Sequence, residues 1–458
     1  MTSHHVKTDS EPELEQKSDA PEKERRGAAP AERSTHVYAP PSTISRVLQF
    51  DAVPSHRQVR ATETSRDHVL LRVSPSADAA ATLDARAAGM PRLNIAVVMD
   101  RSGSMEGSGL EQAKRACSTL LDMLRPDDTL TVIAYSETAD LVLPARHITN
   151  KALIRETLSS IKSGTTTNLL LGLRAAAQQL MSVKDNRTLN RIFLVTDGEP
   201  AAGVKEYAAI MTAASDLAGR GITITTFGLG TDYEEELLAG IAERAGGNYY
   251  HVPEPGLIAA AFEREFRQTT QVCARNLRLR LHPSRGVNIL RVFGRDAVYT
   301  PTCVELTLSD LERNRSIELV CELEFTQRPA AQYRVLRAEL LYDDTGTLCP
   351  ERLTCELTYE FVAADASVDE ANSLTTAAVE IASAIQILDM TILAIRRQGV
   401  DATEVQNHLR RVQETLRSKE RIAEAESVAS ASAAIDRGVP MSKVLMSAVF
   451  DLDQGKTS

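Results

Sequence analysis

Across residues 93–266, short apolar runs alternate with segments whose apolar positions recur at helical spacing. Strands are predicted at residues 93–99, 129–135, 191–196 and 222–227, and the first, third and fourth read as buried on both faces. Between them helices are predicted over about 109–124, 168–181 and 205–218, with another at 234–245. Strands and helices alternating at these lengths build βαβ units, so the segment predicts a doubly wound, Rossmann-like α/β domain around a mainly parallel sheet.

The flanking pattern differs. Residues 43–76 are apolar and β-prone, with a strand predicted at His68-Val-Leu-Leu-Arg-Val73, but this piece is too short to fold alone. From about 274 to 361 the helical period disappears. Asn276-Leu-Arg-Leu-Arg-Leu281 alternates strictly, 316–325 and 333–342 nearly so, and turn-rich pieces such as Asp343-Asp-Thr-Gly346 separate them. These read as half-buried strands of an antiparallel β-sandwich. The orphan strand at 68–73 is expected to pair with them, which makes the α/β domain an insertion in a β domain.

The last part reads as helical. Leu374, Ala378, Ile381, Ile385, Leu388, Ile392 and Ile395 form a narrow stripe, Gly399 predicts a stop, and Asp401-Ala-Thr-Glu404 has capping-box spacing. Val405, Leu409, Val412 and Leu416 repeat the spacing, so a helical hairpin is expected, its stripe buried against its own neighbour rather than recruiting a partner helix. Residues 1–41 mix charge with Ser, Pro and Ala and have almost nothing to bury, which predicts a disordered tail. His4 and His5 within it read as incidental. The predicted units are thus 1–41, 42–90, 91–270, 271–366 and 367–458.

Chemistry concentrates at the strand ends of the α/β segment. Asp100-Arg-Ser102-Gly-Ser104 follows the first strand directly and puts one carboxylate and two hydroxyls where doubly wound sheets bind ligands. The strand at 191–196 ends in Asp197-Gly198, and the loop Ser163-Gly-Thr-Thr-Thr-Asn168 adds hydroxyls before a helix. Each piece alone reads as a cap or a turn. Together they make an all-oxygen set suited to a small hard cation, magnesium first and manganese second.

These residues resemble a known family. Asn94-Ile-Ala-Val-Val-Met-Asp-Arg-Ser-Gly-Ser-Met105, Thr167-Asn168 and Leu194-Val-Thr-Asp-Gly198 look like the three loops of the von Willebrand factor type A domain with its metal ion-dependent adhesion site. The resemblance implies Ser102, Ser104 and Thr167 as inner ligands, with Asp100 and Asp197 supplying charge. Thr166 departs from the family, which commonly has glycine before the threonine. The multidomain arrangement is similar to that of bacterial members, which implies a MoxR-type AAA+ ATPase as a partner.

Composition narrows the function. Acidic residues outnumber basic ones, 62 to 52, for a net charge of −10, and no basic stripe interleaved with aromatics appears, so nucleic-acid binding is not expected. The N-terminus lacks an apolar signal core, and no stretch reads as apolar for the roughly 18 residues of a membrane span, so a cytoplasmic location is expected. With no zinc-like spacing, the six cysteines are expected as reduced thiols.

The expected function is non-enzymatic: a scaffold or adaptor whose bound cation captures an Asp or Glu of a partner protein. One alternative is a magnesium-dependent hydrolase or phosphotransferase. Against it, Ser102 stands where a haloacid dehalogenase-type phosphatase needs a second aspartate, and His147 and His251 read as surface or packing residues. Nucleotide binding at Gly228-Leu-Gly230 is disfavoured because Tyr233 takes the third glycine position. An adhesin or channel-related role has family precedent but lacks a signal and a span.

Overall fold

The computed structural model describes residues 42–81, 91–183, 188–198, 207–295, 297–347, 349–398, 401–453 and 456–457. The tail predicted over 1–41, with His4 and His5, and the stop predicted at Gly399 lie outside these residues.

Strands β1 (Ser42–Ile44), β2 (Leu48–Pro54), β3 (Gln58–Arg60) and β4 (Ser65–Pro75) and a short helix α1 (Ala77–Ala81) come first. The α/β unit then runs β5 (Arg92–Asp100), α2 (Ser108–Met123), β6 (Thr129–Tyr135), β7 (Ala139–His147), α3 (Lys151–Ser159) and α4 (Leu169–Ser182). It continues with β8 (Thr188–Thr196), α5 (Tyr207–Gly219), β9 (Ile222–Leu229), α6 (Glu235–Arg244), β10 (Tyr249–Val252) and α7 (Ile258–Gln271). The sheet order is β10-β9-β8-β5-β6-β7, parallel throughout except that β7 lies antiparallel on the edge of β6.

Helices cover both faces of this sheet, so its central strands have no polar side. Every residue of β8 is buried, as is every residue of β5 after Arg92, and β6 is buried throughout, Thr129 and Thr131 included. One face packs on α2 and α7 through Leu120, Phe193, Phe227 and Phe262. The other packs on α4, α5 and α6 through Leu173, Ile210, Ile224 and Leu237.

Backbone proximity makes one position intolerant. A Cβ on Gly247 would sit 2.1 Å from the Ile224 carbonyl oxygen. Because β9 is paired on both sides, that carbonyl has little room to yield. Gly247→Ala is expected to cost about 3 kcal/mol, read from urea denaturation. A stability unchanged from the natural chain would show that β9 shifts freely.

The β region comprises β11 (Val272–Pro283), β12 (Val287–Val292), β13 (Val298–Tyr299), β14 (Val304–Thr307), β15 (Leu311–Glu312), β16 (Ser316–Phe325), β17 (Ala331–Asp344) and β18 (Pro350–Val362). One sheet has the order β1-β2-β4-β16-β12 and the other β13-β14-β11-β17-β18-β3. The strand before the α/β unit meets one after it: β4 and β16 pair antiparallel from Ile317 opposite Val73 to Phe325 opposite Ser65. Alternating inward residues of both sheets, among them Phe50, Leu71, Leu279, Leu323 and Phe361, share one core. The sheets are not purely antiparallel, since β3 lies parallel to β18. All six cysteines are free thiols.

Four helices follow: α8 (Ser373–Gln398), α9 (Ala402–Ser418), α10 (Ile422–Asp436) and α11 (Met441–Asp453). A final strand β19 (Lys456–Thr457) pairs with the start of β16. The stripe on α9 is buried in full, at Val405, Leu409, Val412 and Leu416. On α8 it is buried at Ala378, Ile385, Leu388 and Ile392, but Leu374 is 59% exposed. Asp401 does take the N-cap of α9, yet its side chain makes no cap hydrogen bond. The Glu404 amide instead donates to the Asp401 carbonyl at 3.0 Å.

Two features lie outside the sequence-based expectations. Residues 373–395, whose most apolar 18-residue stretch has a mean hydropathy of 1.7, are long and apolar enough to cross a membrane by length and composition, which corrects the expectation that no such run exists. Only a third of the most apolar stretch is buried. Secondly, α11 docks on the α/β unit. Phe450 packs edge-on against Tyr249, and buried Lys443 donates to the Tyr233 carbonyl at 2.5 Å and to Glu235 at 2.9 Å.

Candidate metal-binding rim

Strand β5 ends by delivering Asp100 into the sheet's carboxyl edge, where the side chain is fully buried. Two donors hold it, one from the loop after β5 and one from β8. The Ser102 amide donates to Oδ1 at 2.8 Å, and the Thr196 hydroxyl, at the end of β8, donates to Oδ2 at 2.6 Å. A single tight turn over Gly103–Met105 then places the serines, with their Oγ atoms 3.1 Å apart. Ser104 Oγ in turn donates to Asp197 Oδ1 at 2.7 Å.

The third loop is attached through its backbone. Gly103 N donates to the Thr165 carbonyl at 3.3 Å, Gly164 N to the Arg101 carbonyl at 2.5 Å, and Asn168 N to the Ser136 carbonyl at 2.9 Å. Asn168 also caps α4, its side chain accepting from Leu171 N. Thr167, buried and with no side-chain hydrogen bond among the described residues, is therefore placed by its loop. The loop's need for glycine falls at Gly164, where a Cβ would meet Ser136 Oγ at 2.5 Å. At Thr166, where the family commonly has glycine, the hydroxyl is buried without a partner among the described residues.

The electrostatics are those of uncompensated negative charge. Burial pushes the Asp100 carboxyl up to about 6 despite the hydrogen bonds from Thr196 and Ser102. Asp197 is also pushed up, chiefly by burial, with the charge of Asp232 adding to it. Among the described residues neither carboxylate has an ion pair, because nearby Arg101 is engaged by Asp140 at 2.8 Å. Burial holds the Tyr135 phenol, at the end of β6 beside Asp100, far above its ordinary range. No cluster of three or more His, Cys, Asp or Glu occurs among the described residues, so any metal here would rely on hydroxyls.

The remaining candidates lie off the three loops, though Gly228 pairs opposite Thr196 and His251 opposite Gly228 at the same edge of the sheet. His147 pairs opposite Thr129 at the other end of the sheet and is exposed. His251 accepts or donates at Nδ1 with the Tyr233 hydroxyl at 2.6 Å, and burial lowers it to about 4. A Cβ on Gly228 would lie 2.3 Å from the Tyr233 ring, so that glycine admits an aromatic side chain. Thr196, Ser136 and Tyr135 were not among the sequence candidates. Only Thr196 carried a signal, as the last residue of the strand that precedes Asp197.

With these loops placed, the comparison with known proteins is direct. Residues 94–264 match the von Willebrand factor type A domain. An uncharacterized protein of Synechocystis sp. is 30% identical over 269 residues, 56% of this chain and 62% of that protein. The chain thus spans about three fifths of that relative's length. Two solved structures share the fold beyond the type A domain. A von Willebrand factor type A protein from Catenulispora acidiphila is 17% identical, with a TM-score of 0.64 over 86% of this chain and 90% of that one. The ArnB paralog VWA2 from Sulfolobus acidocaldarius, also 17% identical, gives 0.61 over 89% and 98%.

Proposed function

We propose that the type A domain is a metal-dependent protein-interaction module, a scaffold or adaptor rather than an enzyme. The observation that carries this reading is the hydrogen-bonded chain from Ser102 through Ser104 to Asp197, backed by Asp100. It gathers hydroxyl and carboxylate oxygens from separate loops at one strand edge, with neither a soft ligand nor an ion-paired cation among the described residues. Such a donor set fits magnesium, or manganese, with waters completing the shell. Ser102, Ser104 and Thr167 would hold the ion directly, with Asp100 and Asp197 supplying charge. When bound, the cation supplies a positive point that an Asp or Glu of a partner protein can complete.

The chain's own residues orient that site. Thr196 and the Ser102 amide lock both oxygens of Asp100, so its charge cannot swing away. Backbone bonds from Arg101 and Gly103 to the loop at 164–165 hold the first and third loops as one piece. Among the described residues no histidine stands in the three rim loops, with His251 Nδ1 held by Tyr233 and His147 at the far end of the sheet, which favours binding over catalysis. The β4–β16 pairing supports reading the type A domain as an insertion in a β-sandwich. A MoxR-type AAA+ ATPase is the partner class proposed for it.

Calorimetric titration of chelator-treated protein with magnesium and manganese tests this reading. Saturable binding is expected, absent in Asp100→Ala and in Ser102→Ala with Ser104→Ala, with the circular dichroism of each variant unchanged. Partners captured from extract should elute in EDTA. No saturable heat in the natural chain, or capture indifferent to EDTA, would overturn the mechanism.

A further inference from the structure

Helix α8 has two apolar faces, and the fold buries one of them. Ile385, Leu388 and Ile392 are buried in the helical bundle, whereas Ile387, Met390 and Leu393 are 39%, 64% and 50% exposed. Along the helix runs a groove of about 440 Å³ that Met390 and Leu393 help to line. The part of α8 that walls it, from Ala378 to Leu393, is about 22 Å long at the helical rise per residue. Its floor is Leu319 and Val320 of β16, with Phe293 beside them.

The floor's main chain is already engaged. Residues from Ile317 onward pair with β4, and the Val320 carbonyl accepts from Phe293 N at 3.0 Å. An occupant therefore finds no free ladder there and has to satisfy its own backbone, as a helix does.

Charge says what that helix carries. Glu318 in the groove is paired with Arg421 at 3.2 Å, and Glu424 with the same arginine at 3.1 Å. Asp389 also lines the groove, and among the described residues no ion pair reaches it. Burial, with the Glu243 carboxylate adding to it, pushes its carboxyl up to about 6. A half-buried acid on an apolar wall, lacking a cation of its own, is complementary to one brought from outside.

We propose that this groove docks an amphipathic helix of a partner protein, its large apolar residues packed on Met390 and Leu393 and a Lys or Arg set on Asp389. This surface is separate from the metal rim and does not rest on it. The probe is a fluorescein-labelled amphipathic peptide of about 16 residues, with leucines at i, i+3, i+4 and i+7 and one bordering lysine. A second peptide carries glutamate in place of the lysine.

Anisotropy titration into the full chain is expected to show saturable binding with about tenfold preference for the lysine peptide. Asp389→Lys should invert that preference. Met390→Glu with Leu393→Glu, at exposed positions that leave the circular dichroism unchanged, should remove binding of both peptides. No saturable binding, or a preference that survives Asp389→Lys, overturns the proposal. So does binding only to phosphatidylglycerol vesicles, or self-association in sedimentation that Met390→Glu with Leu393→Glu abolishes, since these would assign the face to a membrane or to a second copy.

Discussion

Asp100→Asn is expected to make the chelated protein more stable at neutral pH while removing its affinity for divalent cations. The reason lies in the burial of a charge without a counterion. The Asp100 carboxyl is raised from 3.8 to about 6 in the folded chain. A folded-state value above the unfolded one means that the native state holds the proton more tightly. The stability this gives is fully present below about pH 4 and is lost as pH rises through about 6. Above that, the ionised group costs about 3 kcal/mol. Asparagine avoids the charge yet keeps an oxygen for the Ser102 amide, and its NH2 can face Thr196 Oγ1, whose hydroxyl already lies 3.3 Å from the Gly198 carbonyl.

Urea denaturation in EDTA across pH checks this. The variant should gain about 2 kcal/mol at pH 7 to 8, converging on the natural chain near pH 4. Saturating magnesium should stabilise the natural chain and leave the variant unmoved, by ordinary linkage. Equal stability of the two proteins at every pH in EDTA would show that the buried carboxylate is not a source of strain.

The second large effect concerns the join between the α/β unit and the β sheets. Arg191, 3% exposed at the start of β8, forms an ion pair with Asp310 in the link between β14 and β15, and donates to Thr223 Oγ1 at 2.6 Å. Asp310 is 8% exposed and also accepts from Asn276 N at 3.3 Å. Removing the guanidinium strands a buried carboxylate, so Arg191→Leu is expected to cost about 3 to 5 kcal/mol. Combining it with Asp310→Leu should restore most of that loss, because neither charge is then left uncompensated. A single variant with near-natural stability, or a double variant as unstable as the single, would show that the pair is not what holds this seam.

Legibility in the sequence followed burial. Strands β5 and β8 were readable because both of their faces are buried, which leaves near-continuous apolar runs, whereas β6 showed as a strand but not as doubly buried, because Thr129 and Thr131 interrupt its apolar residues. Strand β7 was not, since Asp140, Leu141, Pro144, Arg146 and His147 on an edge strand mix polar and apolar without period. Four-residue β10 is too short for a pattern. Helix α10 escaped because its Ala- and Ser-rich sequence has almost no amphipathic contrast, even though Ala425, Val428 and Ile435 are buried. The capping box at Asp401 failed in its detail, because backbone bonding from Glu404 satisfied the same end of the helix.

The sequence by itself determined the local elements and the residue types at the rim: the apolar strands, the Asp100-Arg-Ser-Gly-Ser turn, Asp197-Gly198 and the threonine loop. Those depend on spacing within a few residues, which the chain states directly. Tertiary structure alone decided that Thr196 would hold Asp100 across two strands, that Lys443 would bind Tyr233 from 210 positions away, and that Asp389 would line a groove with no ion pair of its own among the described residues. These outcomes depend on which distant surfaces share a core. That is set by the competition among all ways of burying the apolar faces, and no local spacing encodes it.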